Sequence, residues 1–234
     1  MVRVCVIQAD NRPKLDYLLK TQEINKIFCS YLNYDYLFIE IDNKKYGNIH
    51  PATKKIYVIN DFIQKSNYDV IVFLDSDAWI QNFTMLSVLI NNLVKNRKKH
   101  GCFSRDPYRP KNTYINSGSF IIKINDFTKQ MYNTVINTLI SYSKYHDKWP
   151  YDQFYISNFI FKNKKRFMIF VPDILNTPIG KILRHNWSKN KKMFRDLNEL
   201  LLVKNENQST FNLDELFDTN EYPNKNNDSN EYLK

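Results

Sequence analysis

An α/β fold built as one domain is predicted by three features of the sequence. Apolar strand-like runs alternate with helical patterns through the first hundred residues, polar breaks separate them, and the early runs are apolar on both faces. "VRVCVIQA" (2–9) is the first strand, apolar except for Arg3 and Gln8. Asn11 to Pro13 breaks it and opens an amphipathic helix to about Tyr31. "DYLFIEID" (35–42) is the second strand. A polar loop with Gly47 follows, and Pro51 suits the first turn of a helix reaching about Gln64. "DVIVFLD" (69–75) is the third strand and "TMLSVLINNLVKN" the third helix. This order implies right-handed βαβ units and a parallel sheet.

From "GCFS" (101–104) the pattern changes to a mixed half. "TYINSGSFIIK" (113–123) reads as a strand with a glycine in its middle, and "DFTKQMYNTVINTLISYSKY" as a long helix. "YDQFYISNFIFKN" is a shorter helix and "RFMIFVPDIL" a late strand. The expected domain covers 1–204. Residues 205–234 are polar and Asn-rich and are expected to form a mobile tail. In open α/β sheets ligands sit beyond the carboxyl ends of the strands, so Asp10, Asp42 and Asp75 are expected on one rim.

Composition limits the function. A net charge of +10 implies an anionic partner: nucleic acid, an anionic membrane surface or a phosphate-bearing substrate. The three cysteines show no CxxC spacing, which argues against a disulfide scaffold or a structural zinc site and suits a reducing compartment. The first ten residues do not form a signal peptide, and no window approaches the ~18 apolar residues of a membrane span, so the expected location is cytoplasmic. The excess of Lys, Asn, Ile, Tyr and Phe suggests an AT-rich genome, and a host cytoplasm if that genome is viral. With only four glycines in the chain, each is expected where backbone geometry demands one.

The chemistry concentrates at "VIVFLDSDAWIQN" (70–82). In an extended segment the side chains of Asp75 and Asp77 face the same way, so their carboxylates converge. Alone, one would take a raised pKa; a hard divalent cation, Mg²⁺ or Mn²⁺, removes that penalty. The simpler reading has Asp75 capping the following turn and Asp77 solvated. Among enzymes, the pair fits a phosphatase of the haloacid-dehalogenase type, a nucleotidyltransferase or a nucleotide-sugar transferase. Trp79 argues against the first. A basic nucleic-acid-binding protein is a further alternative, although the basic residues are scattered over "KNRKK", "KNKKR" and "SKNKK" and form no recognisable module.

Four segments in order resemble the GT-A glycosyltransferases, and within them the galactosyl/xylosyltransferase group called family 34. They are "IHPATKKIYVI", "FLDSDAWIQN", "YINSGSFIIK" and "YDQFYI", spanning roughly 48–158. The resemblance implies a Rossmann-like, mainly parallel sheet and transfer of a sugar from a nucleoside diphosphate donor, UDP-linked, to a hydroxyl on a glycan acceptor. It makes Asp77 a direct metal ligand and places Asp75 on the ribose, the donor sugar or the metal. His185, expected in a polar loop within "RHNWSKN", is the candidate third ligand. Lys181, Arg184 and Lys189 flank it and are candidates for the diphosphate. Gln8, Asp10 and Asn11 would meet the nucleotide. Asn116, Ser117 and Gly118 would line the donor sugar, with Gly118 leaving room for it. Asp152 would bind donor hydroxyls or act as base on the acceptor, with Gln153 beside it. Trp149, Tyr151 and Trp187 could stack on an acceptor sugar. Peripheral contact with an anionic membrane is compatible with the charge, and no nucleic acid partner is expected.

Overall fold

A computed structural model describes residues 2–108 and 114–186. Lys189, Trp187 and the expected tail at 205–234 lie outside the described residues. The chain runs β1 (Val4–Asp10), α1 (Asp16–Leu32), β2 (Asp35–Glu40), α2 (Pro51–Lys65), β3 (Val70–Leu74), β4 (Ala78–Ile80) and α3 (Phe83–Lys95). It continues with β5 (Gly101–Arg105), β6 (Ile115–Lys123), α4 (Asp126–Ser141), α5 (Asp152–Lys162), β7 (Met168–Phe170), α6 (Pro172–Leu175) and β8 (Leu183–His185).

Six strands form one sheet in the order β2-β1-β3-β6-β5-β7, and β4 and β8 form a separate antiparallel pair. β1 pairs in parallel with β2 and β3, and β5 with β7. β6 runs against both β3 and β5. Alternation along the strands divides the core into two layers. Val70, Val72 and Leu74 face one side with Ile24, Phe28, Leu86 and Leu89, beneath α1 and α3. Ile71 and Phe73 face the other with Ile56, Ile59, Met131 and Val135, beneath α2 and α4. Helix ends follow from local chemistry. His50 Nδ1 accepts from the Ala52 N–H at 3.2 Å ahead of Pro51, and Asn82 Oδ1 accepts from Met85 N at 2.9 Å.

The structure departs from expectation in three places. "GCFSR" is a buried strand; a Cβ on Gly101 would lie 2.8 Å from the Ile121 carbonyl oxygen, which explains the glycine there. The late strand shrinks to Met168–Phe170, because Pro172 has no N–H for a ladder and instead opens the one-turn α6. "AWI" and "LRH", not expected as strands, pair Ala78 with His185 and Ile80 with Leu183.

The two ends of the sheet differ in charge. The end bearing Asp10 and Asp75 holds the acidic groups described below. At the opposite end, Lys123 pairs with Val70 in register, and its Nζ reaches the Asn96 carbonyl at 2.8 Å. His100 N–H donates to Arg166 O, and Lys99 Nζ donates to Phe167 O, both at 2.8 Å. Arg97, Lys98, Lys164 and Lys165, next to them in sequence, are exposed. Burial lowers the His100 pKa, and Lys123 and Arg166 lower it further. No helix among the described residues is long and apolar enough to cross a membrane.

Candidate active site

Asp75 follows β3 directly, and the chain turns at once: Ala78 N–H donates to Asp75 O at 3.0 Å. The two carboxylates therefore converge across a tight turn, where the sequence implied an extended segment. β4 then carries the chain under β8, and Asn186 N–H donates to Asp77 O at 3.0 Å. This pairing brings in His185, which is the last residue of β8 and buried, contrary to the expected polar loop. Its Nε2 lies 3.1 Å from Asp77 Oδ1 and 3.6 Å from Asp75 Oδ2. One ligand atom from each of Asp75, Asp77 and His185 falls within 4.8 Å of the others. Burial alone would lower the His185 pKa, but Asp77, by charge and hydrogen bond, and Asp75 carry it above the ordinary value. Two carboxylates facing one imidazole nitrogen form a donor set that suits a divalent cation.

Gly118 has a different task from the one expected. A Cβ built there would sit 1.9 Å from His185 Cε1, so the missing side chain admits the imidazole and not a donor sugar. The strand is irregular here: the β5–β6 register shifts between Cys102 and Ser104, opposite residues 117–120. Asn116 Oδ1 accepts from Gly118 N at 2.9 Å, and Gly118 O accepts from Asp75 N at 2.7 Å.

A buried lysine links the carboxylates. Lys55, one turn into α2, places Nζ 2.6 Å from Asp75 Oδ1 and 3.3 Å from Asp152 Oδ2. Burial would lower its pKa, but Asp152 and Asp75 raise it, so it stays charged. Asp152, the first residue of α5, is pushed up to about 6. Burial is the main cause and Asp75 adds to it, while Lys55 and a hydrogen bond from Ser117 oppose. Lys55 carried no expected role, although it stands within "IHPATKKIYVI"; within a helix a lysine reads as a solvated face. Gln153 is turned from this cluster and donates to Asp106 Oδ2 at 2.7 Å, inside the protein.

Beside the cluster lies a cavity of about 270 Å³ lined by Asp10, Asn11, Arg12, His50, Lys55 and Asp75, among others. It sits at the carboxyl ends of β1 and β3, where ligands of open α/β sheets bind. Asp10 is held in a two-point ion pair, with Arg12 Nε and Nη2 each 3.0 Å from its oxygens. The His50 ring stacks on Tyr151 with centroids 4.2 Å apart. Asp42 stays outside and accepts from the Lys44 N–H at 2.7 Å.

Gln8, expected against the nucleotide, is corrected: it is fully buried. Its Nε2 donates to Asp75 O at 3.0 Å and to Thr21 Oγ1 at 3.2 Å, and its Oε1 accepts from Tyr36 Oη at 2.7 Å. Its amide supports the turn after β3 from below. Arg184 pairs with Trp79, one residue from His185, so strand alternation turns it to the face opposite the cluster. Trp149 is 48% exposed.

The profile of the nucleotide-diphospho-sugar transferase family matches residues 15–206. No curated protein matches the sequence. Among solved structures, a glycosyltransferase involved in the glycosylation of the major capsid of PBCV-1 is similar at 14% identity and TM-score 0.65, over 86% of this chain and 100% of that one. The galactosyltransferase LgtC, solved with donor and acceptor sugar analogs, is similar at 11% identity and TM-score 0.58, over 88% of this chain and 98% of that one. The glycosyltransferase GlyE of Streptococcus pneumoniae TIGR4 is similar at 13% identity and TM-score 0.52, over 86% of this chain and 64% of that one. At these identities the likeness is one of fold, and that fold is GT-A. With the acidic cluster and its cavity at the carboxyl edge of the sheet, and the family profile spanning most of the chain, this protein belongs to the nucleotide-diphospho-sugar transferase family and is a glycosyltransferase.

Proposed function

We propose that this enzyme transfers a sugar from a UDP-linked donor to a hydroxyl of a glycan acceptor, with Mn²⁺ or Mg²⁺ held by Asp75, Asp77 and His185. The observation that carries the reading is the convergence of those three side chains next to the cavity at the ends of β1 and β3. A cation bound there supplies Lewis-acid stabilisation to the negative charge that develops on a leaving diphosphate.

The chain's own residues do the rest. Asp10 and Asn11 border the cavity and offer hydrogen-bond partners to a base or ribose, and Arg12 adds a cation at the same edge. Lys55 fixes Asp75 and Asp152 relative to each other by bonding to both. With a pKa of about 6, Asp152 is mainly ionised at neutral pH. Its carboxylate can therefore bind donor hydroxyls or accept the acceptor's proton. Asn116 and Ser117 are buried, Ser117 in hydrogen-bond contact with Asp152, and both border the sugar in this reading. For an anionic partner beyond the donor, we assign the basic end of the sheet, remote from this site, to an anionic membrane surface.

The test is thermal unfolding with UDP and Mn²⁺, singly and together, in wild type and Asp77→Ala. Each ligand should enhance the stabilisation by the other, and the substitution should remove that mutual effect. Independent, additive shifts, or shifts that survive the substitution, would overturn the assignment.

A further inference from the structure

The two ring nitrogens of His185 have different neighbours, and the ring can bind a cation only through a nitrogen that carries a lone pair. Asn176, the residue that ends α6, is fully buried behind the ring. Its Nδ2 donates to the Ser119 carbonyl oxygen at 3.1 Å. A carbonyl oxygen only accepts, so this contact determines which end of the amide is nitrogen. Oδ1 then faces the other way, 3.3 Å from His185 Nδ1 and 2.9 Å from Ser119 Oγ, a hydroxyl that also contacts the Leu175 carbonyl oxygen. An amide oxygen cannot donate either. Nδ1 must therefore carry a hydrogen, and Nε2 is left facing the Asp77 and Asp75 carboxylates.

The backbone reinforces this arrangement. Thr177, next to Asn176, stands at φ 80 and accepts the His185 N–H through its carbonyl oxygen at 3.2 Å. Asn176 and Thr177 thus grip the ring and the backbone of one residue. Their anchor, Ser119, directly follows the glycine whose missing side chain admits the ring.

We propose that Asn176 is a positioning residue that fixes the proton of His185 on Nδ1 and so presents the Nε2 lone pair to a divalent cation. The proposal rests on the metal-site reading above. Outer partners of this kind set the orientation and basicity of a metal-bound imidazole, and their loss commonly weakens metal binding by ~10–100-fold. Asn176 itself touches neither donor nor acceptor in this account, so its effect should pass entirely through His185.

Mn²⁺ binding to the donor-free protein, followed by electron paramagnetic resonance, separates the possibilities. Asn176→Leu should weaken binding by roughly 10–100-fold. Asn176→Asp, which keeps an acceptor for Nδ1–H, should lose much less. With His185→Ala already present, adding Asn176→Leu should change nothing further. Unchanged affinity in Asn176→Leu, or an equal loss with and without His185, would overturn the proposal. Absence of Mn²⁺ binding by wild type would instead overturn the metal site itself. A measurement on wild type alone covers the case in which Asn176→Leu fails to fold: ¹⁵N shifts of His185 in metal-free protein at high pH should report hydrogen on Nδ1. Hydrogen on Nε2 would refute the assignment.

Discussion

At Asp152 burial and charge act in opposite directions. Desolvation favours the neutral acid, Lys55 favours the carboxylate, and the pKa stays above its ordinary 3.8, at about 6. A raised carboxyl pKa means that the folded state binds the proton more tightly than the unfolded chain does. Its contribution to stability is complete below the ordinary pKa and is lost as pH rises through about 6. His185, also raised, adds a loss of the same sign at pH above its ordinary 6.5. Urea unfolding of metal-free protein should therefore show stability falling between about pH 4 and pH 7 more steeply in wild type than in Asp152→Asn, and equal slopes would refute the assignment. Asp75, Asp77 and Asp152 were legible in the sequence because they stand in segments whose order resembles a known family, whereas His185 lies beyond those segments and was a candidate only as a histidine of the late "RHNWSKN" stretch. Lys55 was not, since nothing in a helical repeat tells a lysine that ties two buried acids from one in solvent. Gln8 was misread for a related reason: a polar residue ending a strand looks like a ligand contact until its amide is seen bonded to Thr21, Tyr36 and the Asp75 backbone.

The longer elements follow from periodicity, and their bounds fall within a few residues of expectation through α4 and α5. The short ones do not. β4 and β8 have three residues each, too few for alternation to register, and they pair across most of the described chain. Yet this small ladder brings His185 beneath the Asp75–Asp77 turn, so the element that completes the cluster is the one that sequence patterning shows least. Its packing against β6 depends on Gly118. Gly118→Ala would place a methyl 1.9 Å from the imidazole, inside any allowed contact, with the β6 backbone held by hydrogen bonds to Asp75 and Asn116. The ring must move, because it is the freer partner. Mn²⁺ affinity should fall by at least about tenfold, alongside a stability loss of roughly 1–3 kcal/mol from overpacking. Titration calorimetry with Mn²⁺ and thermal unfolding would check both. Wild-type affinity in the variant would show that Gly118 does not make the room for His185.

Over the whole molecule the charge is sorted along the strands. The carboxyl end of the central strands concentrates Asp10, Asp75, Asp77 and Asp152, where a cation and a phosphorylated donor would meet. The far end holds Lys99, His100, Lys123 and Arg166, with Arg97, Lys98, Lys164 and Lys165 exposed next to them in sequence, and Asp69 and Asp126 lie at the same end. Among the described residues no carboxylate lies within ion-pair distance of Lys99, Lys123 or Arg166. The net charge of +10 alone could not have shown this, because a lysine-rich composition distributes charge without saying where it gathers. The separation matters for the partner. A basic surface at the active-site rim would serve the donor's phosphates, whereas one on the opposite end leaves that rim open to donor and acceptor. Each cation near an anionic bilayer contributes on the order of 1 kcal/mol, and salt screens the attraction within a Debye length of about 8–10 Å. The enzyme should therefore sediment with phosphatidylserine vesicles at low ionic strength and release as salt rises. Reversing Arg97, Lys98, Lys164 and Lys165 to glutamate should abolish that association while leaving the joint stabilisation by UDP and Mn²⁺ intact, since none of the four lines the cavity or the metal cluster. Binding that persists in the reversed variant, or that is equal on neutral phosphatidylcholine, would show that the basic end is not what meets the membrane.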